Sequence, residues 1–198
     1  ICTIVTLLLA LSIGYIYLNN EGSRDILPQE FQQFNPFFVI ALTPVSLAIF
    51  GSLAKKGKEP SAPMKIAIGM VVAAVGYLIL VMCSIGLPDP STLNGKTCAT
   101  PVIPEYLIST YLVLTFAELL LSPMGLSFVS KVAPPKYKGL MMGLWFASGA
   151  IGNYLSRIPS MLWKEIPLWL NWAILMILCV ISAVIMFGLL KKINEATK

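Results

Sequence analysis

A carboxylate in the middle of an apolar run is the group in this sequence from which chemistry can be started. Glu118 sits within FAELLLSPMGLSFVSK, residues 116 to 131, in a segment that otherwise reads as an ordinary membrane span. A central charge costs roughly 2.5–3.5 kcal/mol on insertion, so an ionisable group there marks an ion or substrate pathway by default. Burial favours the neutral carboxyl and a nearby cation favours the ionised one, so the group can change protonation state with its surroundings. The chemistry open to it is proton uptake and release, or pairing with a cationic substrate group. The bland alternative is a protonated carboxyl hydrogen-bonded within a helix bundle.

Other side chains stand close enough in sequence or pattern to join it. Ser122 lies at i+4 from Glu118 and so faces the same way; it either meets a substrate or bonds back to the carbonyl at i−4. Pro123 removes a backbone hydrogen bond directly afterwards and Gly125 loosens the helix further, while Pro44 does the same in an earlier span, so these three are the expected bending points. Asn35, next to Pro36 at a helix start, reads as a cap or as a ligand contact. Trp145 falls inside a span rather than at its rim, which suits a core or lipid-facing position or the wall of a binding site. Trp163, Trp169 and Trp172 suit interfacial anchoring better.

Several chemistries are excluded. The chain has no histidine, so it can build neither an imidazole zinc site nor a Ser/His/Asp triad. Its four cysteines, at 2, 83, 98 and 179, have no CxxC spacing, and no disulfide is expected. No phosphate-binding glycine loop, carboxylate pair or metal-ligand cluster occurs. Neither an enzyme nor a cofactor is therefore expected. The net charge of +5 comes from basic residues in short loops between apolar runs, a membrane topology signal, so nucleic-acid binding is not expected.

The elements that must hold these residues are membrane helices. With 57% hydrophobic and 12% charged residues and a mean hydropathy of +0.82, the chain is far more apolar than a soluble domain. Apolar runs predict spans at about 1–18, 37–54, 66–87, 105–131, 140–156 and 168–190, a single bundle and an all-α membrane protein of six transmembrane helices. Gly69 and Gly76 offer a close-packing face in the third run, and Gly139, Gly143, Gly149 and Gly152 give a small-residue pattern in the fifth. Threading six spans puts Lys55, Lys56, Lys58, Lys65, Lys131, Lys136, Lys138, Lys191, Lys192 and Lys198 on one side. Arg24, Lys96, Arg157 and Lys164 fall on the other. Ten against four makes the first side cytoplasmic, with both ends of the segment inside. The sequence begins at Ile1 with no charged leader and reads as a piece of something longer.

Four stretches, in this order, resemble the C-terminal half of a proton-dependent oligopeptide transporter, a family within the major facilitator superfamily. They are FQQFNPFFVIALTPV, LAKKGKEPSAPMK, FAELLLSPMGLSFVSKVAPPKYKG and MMGLWFASGAIGNYL, covering most of residues 31 to 156. The resemblance implies a transporter of two six-helix bundles, with this chain supplying helices seven to twelve, the C-terminal six-helix bundle of a major facilitator fold, and an N-terminal bundle absent from it. It also implies that Glu118 matches the tenth-helix glutamate, which meets the amino end of a peptide and exchanges partners with a basic residue of the other half. Ser122 and Asn35 match positions near the bound peptide, and Trp145 matches the eleventh-helix tryptophan that walls the pocket. The pattern departs at the first span, where only NNEGSRD after Leu18 corresponds to the family's acidic-glutamine-glycine-serine stretch.

The expected function is then proton-coupled symport of di- and tripeptides by alternating access in a cell inner (plasma) membrane. Protons are the coupling ion, the substrate-binding residues are Asn35, Glu118, Ser122 and Trp145, and Glu118 is the proton-coupling group. The expected partners are short peptides, the lipid bilayer and the missing N-terminal bundle. Two other readings stand beside it: a truncated bundle acting only as a structural or interaction module, and a major facilitator transporter of another small solute such as nitrate. A midplane carboxylate suits a cationic group better than an anion, which weakens the last.

Overall fold

The computed structural model of the chain describes residues 31–88, 92, 104–163 and 165–196. The expected first span at 1–18, the NNEGSRD stretch, and Arg24, Lys96, Lys164, Lys198, Cys2 and Cys98 lie outside them. The described elements are helices: α1 Phe34–Lys55, α2 Ala62–Ser84, α3 Pro104–Val132, α4 Lys138–Leu155, a short α5 Arg157–Leu162 and α6 Leu168–Ala196, with a 3-10 turn at Pro135–Tyr137 before α4.

Instead of the six spans expected, the described residues hold four helices long and apolar enough to cross a membrane: α1, α2, α3 and α6. The expected span at 140–156 does form a helix, α4, but it is not among those four. Its 18 residues include Lys138 and Asn153, which leave too little uninterrupted apolar length for a bilayer core of about 30 Å. The expected spans at 37–54, 66–87, 105–131 and 168–190 fall on α1, α2, α3 and α6, and α6 continues past the lysine pair into the polar tail.

Local signals explain the helix ends. Gly57 has φ +65, its N–H bonds the Ala54 carbonyl at 2.9 Å, and the Lys58 N–H bonds the Leu53 carbonyl at 3.0 Å. This paired bonding is a Schellman motif, which a glycine in the left-handed region closes without a Cβ clash. Ser61 stands extended before α2 and Pro63 sits in its first turn, where a missing N–H costs nothing. Both α1 and α3 continue without interruption through Pro44 and Pro123.

The bundle is built around α2, which packs most extensively against α6 on one side and α3 on the other, while α1 and α4 lie against α3. The two glycines expected as a packing face on α2 meet α3 as anticipated. A Cβ on Gly69 would stand 3.0 Å from the Leu120 Cβ and 3.1 Å from the Ala117 carbonyl, and one on Gly76 would stand 2.8 Å from Leu114 Cδ2. Contacts that rise in number along α2 fall along α3, so the two helices are antiparallel. Ala67, Ala74, Ala117 and Leu120 complete this core. The glycines of α4 behave differently: beside Gly139, Gly143, Gly149 and Gly152 there is open space.

Candidate functional site

Glu118 occupies the middle of α3, in a helix whose buried stripe faces α2 through Ala117 and Leu120. Adjacent positions point about 100° apart, so the residue following Ala117 is turned out of that interface. Glu118 is accordingly exposed, as are Ser122 and Pro123 on the next turn.

Asn35 comes to this carboxylate from α1. Its amide Nδ2 donates to Glu118 Oε2 at 3.2 Å. The capping reading does not apply: α1 begins at Phe34 after Gln33, so Asn35 is already inside its first turn and its side chain is turned to Glu118 instead. The resemblance implies a basic partner for Glu118 from the other half, and the structure adds an amide partner from within this chain. The amide N–H donates, and a carboxyl oxygen of Glu118 accepts. The rings of Phe31, Phe34, Phe37 and Phe38 contact one another with centroids 5.5–6.1 Å apart, tilted, stacked and edge to face in turn, at the start of α1.

Trp145 reaches α3 from α4. A Cβ placed on Gly125 would stand 2.2 Å from Trp145 Cη2 and 2.3 Å from Cζ2, so the indole lies directly on the glycine backbone. Gly125 is buried by this contact. Sequence reasoning took Gly125 as a point of flexibility; in the structure it also leaves room for a ring. Glu118, Ser122 and Gly125 thus lie along two turns of α3, with Asn35 of α1 at one end and Trp145 of α4 at the other.

Two groups escaped the sequence reading. Lys65, counted there among loop lysines, lies in α2 and is 4% exposed, with its ammonium paired to Glu59 and 4.4 Å from the centre of the Phe50 ring. Its place one turn before Gly69, on the packing face of α2, was the available signal. Thr115, three residues before Glu118, is 1% exposed and its hydroxyl has no partner. At the far end of the molecule Asn171 Nδ2 donates to the Pro159 carbonyl at 3.2 Å, and the Trp163 and Trp172 rings meet edge to face at 5.7 Å, tying α5 to α6.

A bundle of apolar helices with one polar, solvent-open half-site is the build of a multi-pass membrane transporter rather than of an enzyme. Residues 15–176 match the model of the POT family, and the chain belongs to that family. Dipeptide and tripeptide permease B of Salmonella typhimurium is 33% identical over 157 residues, which are 75% of this chain and 30% of that protein. The peptide transporter YePEPT of Yersinia enterocolitica is 33% identical over 143 residues, 70% of this chain and 27% of its own length. The chain thus spans about a third of the length of these bacterial relatives. Among solved structures, the peptide transporter POT in complex with sulfate matches with a TM-score of 0.73 at 25% identity, over 89% of this chain and 34% of that one. A POT family transporter in complex with a thioalcohol conjugated peptide gives 0.70 at 26% identity, over 83% and 31%.

Proposed function

We propose that this chain supplies the C-terminal bundle of a proton-coupled symporter of di- and tripeptides in a bacterial inner membrane, both its ends being cytoplasmic. The observation that carries the proposal is the Asn35–Glu118 contact on an exposed face of α3, with Trp145 seated on Gly125 one to two turns away. A charge held open in the middle of a membrane helix needs a partner, and a peptide ammonium is one that a carboxylate fits. The exposed polar face is also what a second bundle would cover, consistent with a chain about a third as long as its relatives.

In this mechanism Glu118, which accepts the Asn35 N–H, binds the amino end of the peptide. Ser122 offers a hydroxyl one turn away and Trp145 forms the apolar wall. When the peptide leaves on the inner side, together with the proton taken up with it on the outer side, the carboxylate takes a basic partner from the other bundle, and the two bundles rock about the site. Pro44 and Pro123 each remove a backbone bond at a point where α1 and α3 can bend. One proton moving through 100 mV provides about 2.3 kcal/mol, enough for roughly fifty-fold accumulation.

Uptake of labelled dipeptide by proteoliposomes of the full-length protein carrying this segment tests the reading. Glu118→Gln should abolish proton-driven uptake, and uptake at the wild-type level would remove Glu118 from the mechanism.

A further inference from the structure

We propose that the phenylalanine rings at the start of α1 are the wall against which the side chain of the peptide's first residue packs, so that the site selects peptides with a large apolar first residue. This rests on the reading of Glu118 as the group that binds the peptide's amino end.

The argument starts from the aromatic residues that surround Asn35. The rings of Phe31 and Phe34 meet at 6.1 Å between centroids, those of Phe34 and Phe38 stack at 6.1 Å, and those of Phe37 and Phe38 meet edge to face at 5.5 Å. Rings in such contact form one continuous apolar surface. Each of the four is half-buried, so part of the surface stays open and is not core. An interfacial belt does not explain it. Such belts are built of tryptophan and tyrosine, whose polar tips reach water, and Asn35 ties this turn to the middle of α3 rather than to either rim.

Their position says what the rings face. Asn35 Nδ2 is 3.2 Å from Glu118 Oε2. Phe38 stands three residues after Asn35 on α1, about 60° from it around the helix, with the two Cβ atoms about 5–6 Å apart. Phe34 extends the surface by stacking on Phe38, and Phe31 by meeting Phe34. The aromatic surface therefore begins within one turn of the amide that touches the carboxylate.

Peptide chemistry supplies the rest. An ammonium paired with Glu118 is one bond from the first Cα of the peptide and two from its side chain. That side chain lies at the level of Asn35 and the rings beside it, whichever way the peptide continues. Trp145 serves a different position: Gly125, on which it rests, is seven residues past Glu118, about 10.5 Å along α3. An extended chain advances about 3.3 Å per residue, so a peptide lying along α3 meets Trp145 with its later side chains and the rings of α1 with its first. An acidic first side chain is rejected twice, by the like charge of Glu118 and by rings that cannot solvate it.

The experiment uses the full-length protein in proteoliposomes and measures how well unlabelled Phe-Ala, Ala-Phe, Ala-Ala and Asp-Ala compete with uptake of labelled Ala-Ala. In the wild type Phe-Ala should compete about ten-fold better than Ala-Ala, and Asp-Ala should be the weakest. Phe38→Ala should shrink the ratio of Phe-Ala to Ala-Ala to about two-fold, and Phe38→Leu, which keeps an apolar surface without the ring, should give an intermediate ratio. A ratio is the readout because a general loss of transport cancels from it. The ratio of Ala-Phe to Ala-Ala should stay as in the wild type. Equal competition by Phe-Ala and Ala-Ala in the wild type overturns the proposal without any variant, so a Phe38→Ala protein that fails to fold does not protect it. An unaltered ratio in Phe38→Ala overturns it, and so does an equal loss for Phe-Ala and Ala-Phe, which makes the rings a packing element of the whole site. If these results come with an inactive Glu118→Gln, the reading of Glu118 stands and only the wall is lost. Full uptake by Glu118→Gln overturns both together.

Discussion

Asn35 and Glu118 are 83 positions apart in the chain, and the amide of the first donates to the carboxylate of the second at 3.2 Å. This bond joins the first turn of α1 to the middle of α3, so any movement of one helix against the other must break or carry it. Removing the donor leaves a membrane-embedded carboxylate short of one hydrogen bond. Hydrogen bonds to charged groups contribute about 1.5–3 kcal/mol, so Asn35→Ala should lower dipeptide uptake by the full-length protein roughly ten- to a hundred-fold. Asn35→Asp should be more damaging, since it sets a second carboxyl against the first. Initial rates in proteoliposomes measure both.

The Trp145 ring on Gly125 predicts a second outcome. A methyl at Gly125 would lie 2.2–2.3 Å from indole carbons, so Gly125→Ala must push the ring off α3. The emission of Trp145, obtained as the difference from Trp145→Phe, should shift in Gly125→Ala, and uptake should fall with it. Unaltered emission would mean that the ring does not rest there.

The Lys65–Glu59 pair is lopsided, and its variants should be as well. The Lys65 side chain is 5% exposed and that of Glu59 is 44% exposed. Glu59→Gln strands a buried ammonium and should cost about 3 kcal/mol, seen as a lower melting temperature in detergent. Lys65→Met leaves a carboxylate that water can reach, keeps the packing on Phe50, and should cost about 1 kcal/mol or less. The double variant should melt near Lys65→Met. Equal losses for the two single variants would contradict the burial asymmetry.

Close packing of α2 on α3 makes a fourth prediction. At Gly69 an added side chain meets the Ala117 backbone carbonyl, which cannot rotate away, and at Gly76 it meets the end of Leu114, which can. Gly69→Val should therefore destabilise the protein more than Gly76→Val, by about 1–3 kcal/mol for an overpacked core. Thermal melting of the two in one detergent decides it.

Composition and hydrophobic runs alone determined that the chain crosses a membrane as helices, because a bilayer leaves a polypeptide no other way to satisfy its backbone over spans of that length. They also singled out Glu118, since a charge in an apolar run is costly enough to be conspicuous, and Gly69 and Gly76, since a glycine pair on one helix face has few other uses. The tertiary structure decided how these residues meet. Asn35 looked like a cap because its own neighbours cannot reveal a carboxylate 83 positions away. Gly125 looked flexible because Trp145 arrives from another helix. Lys65 looked like a loop lysine because burial depends on Phe50 and Glu59 folding over it. Thr115 was unremarked because a missing hydrogen bond exists only in three dimensions. Apolar length is a property of a segment and can be read along the chain; hydrogen bonds and close contacts between helices are properties of pairs, and only the packed bundle fixes which pairs form.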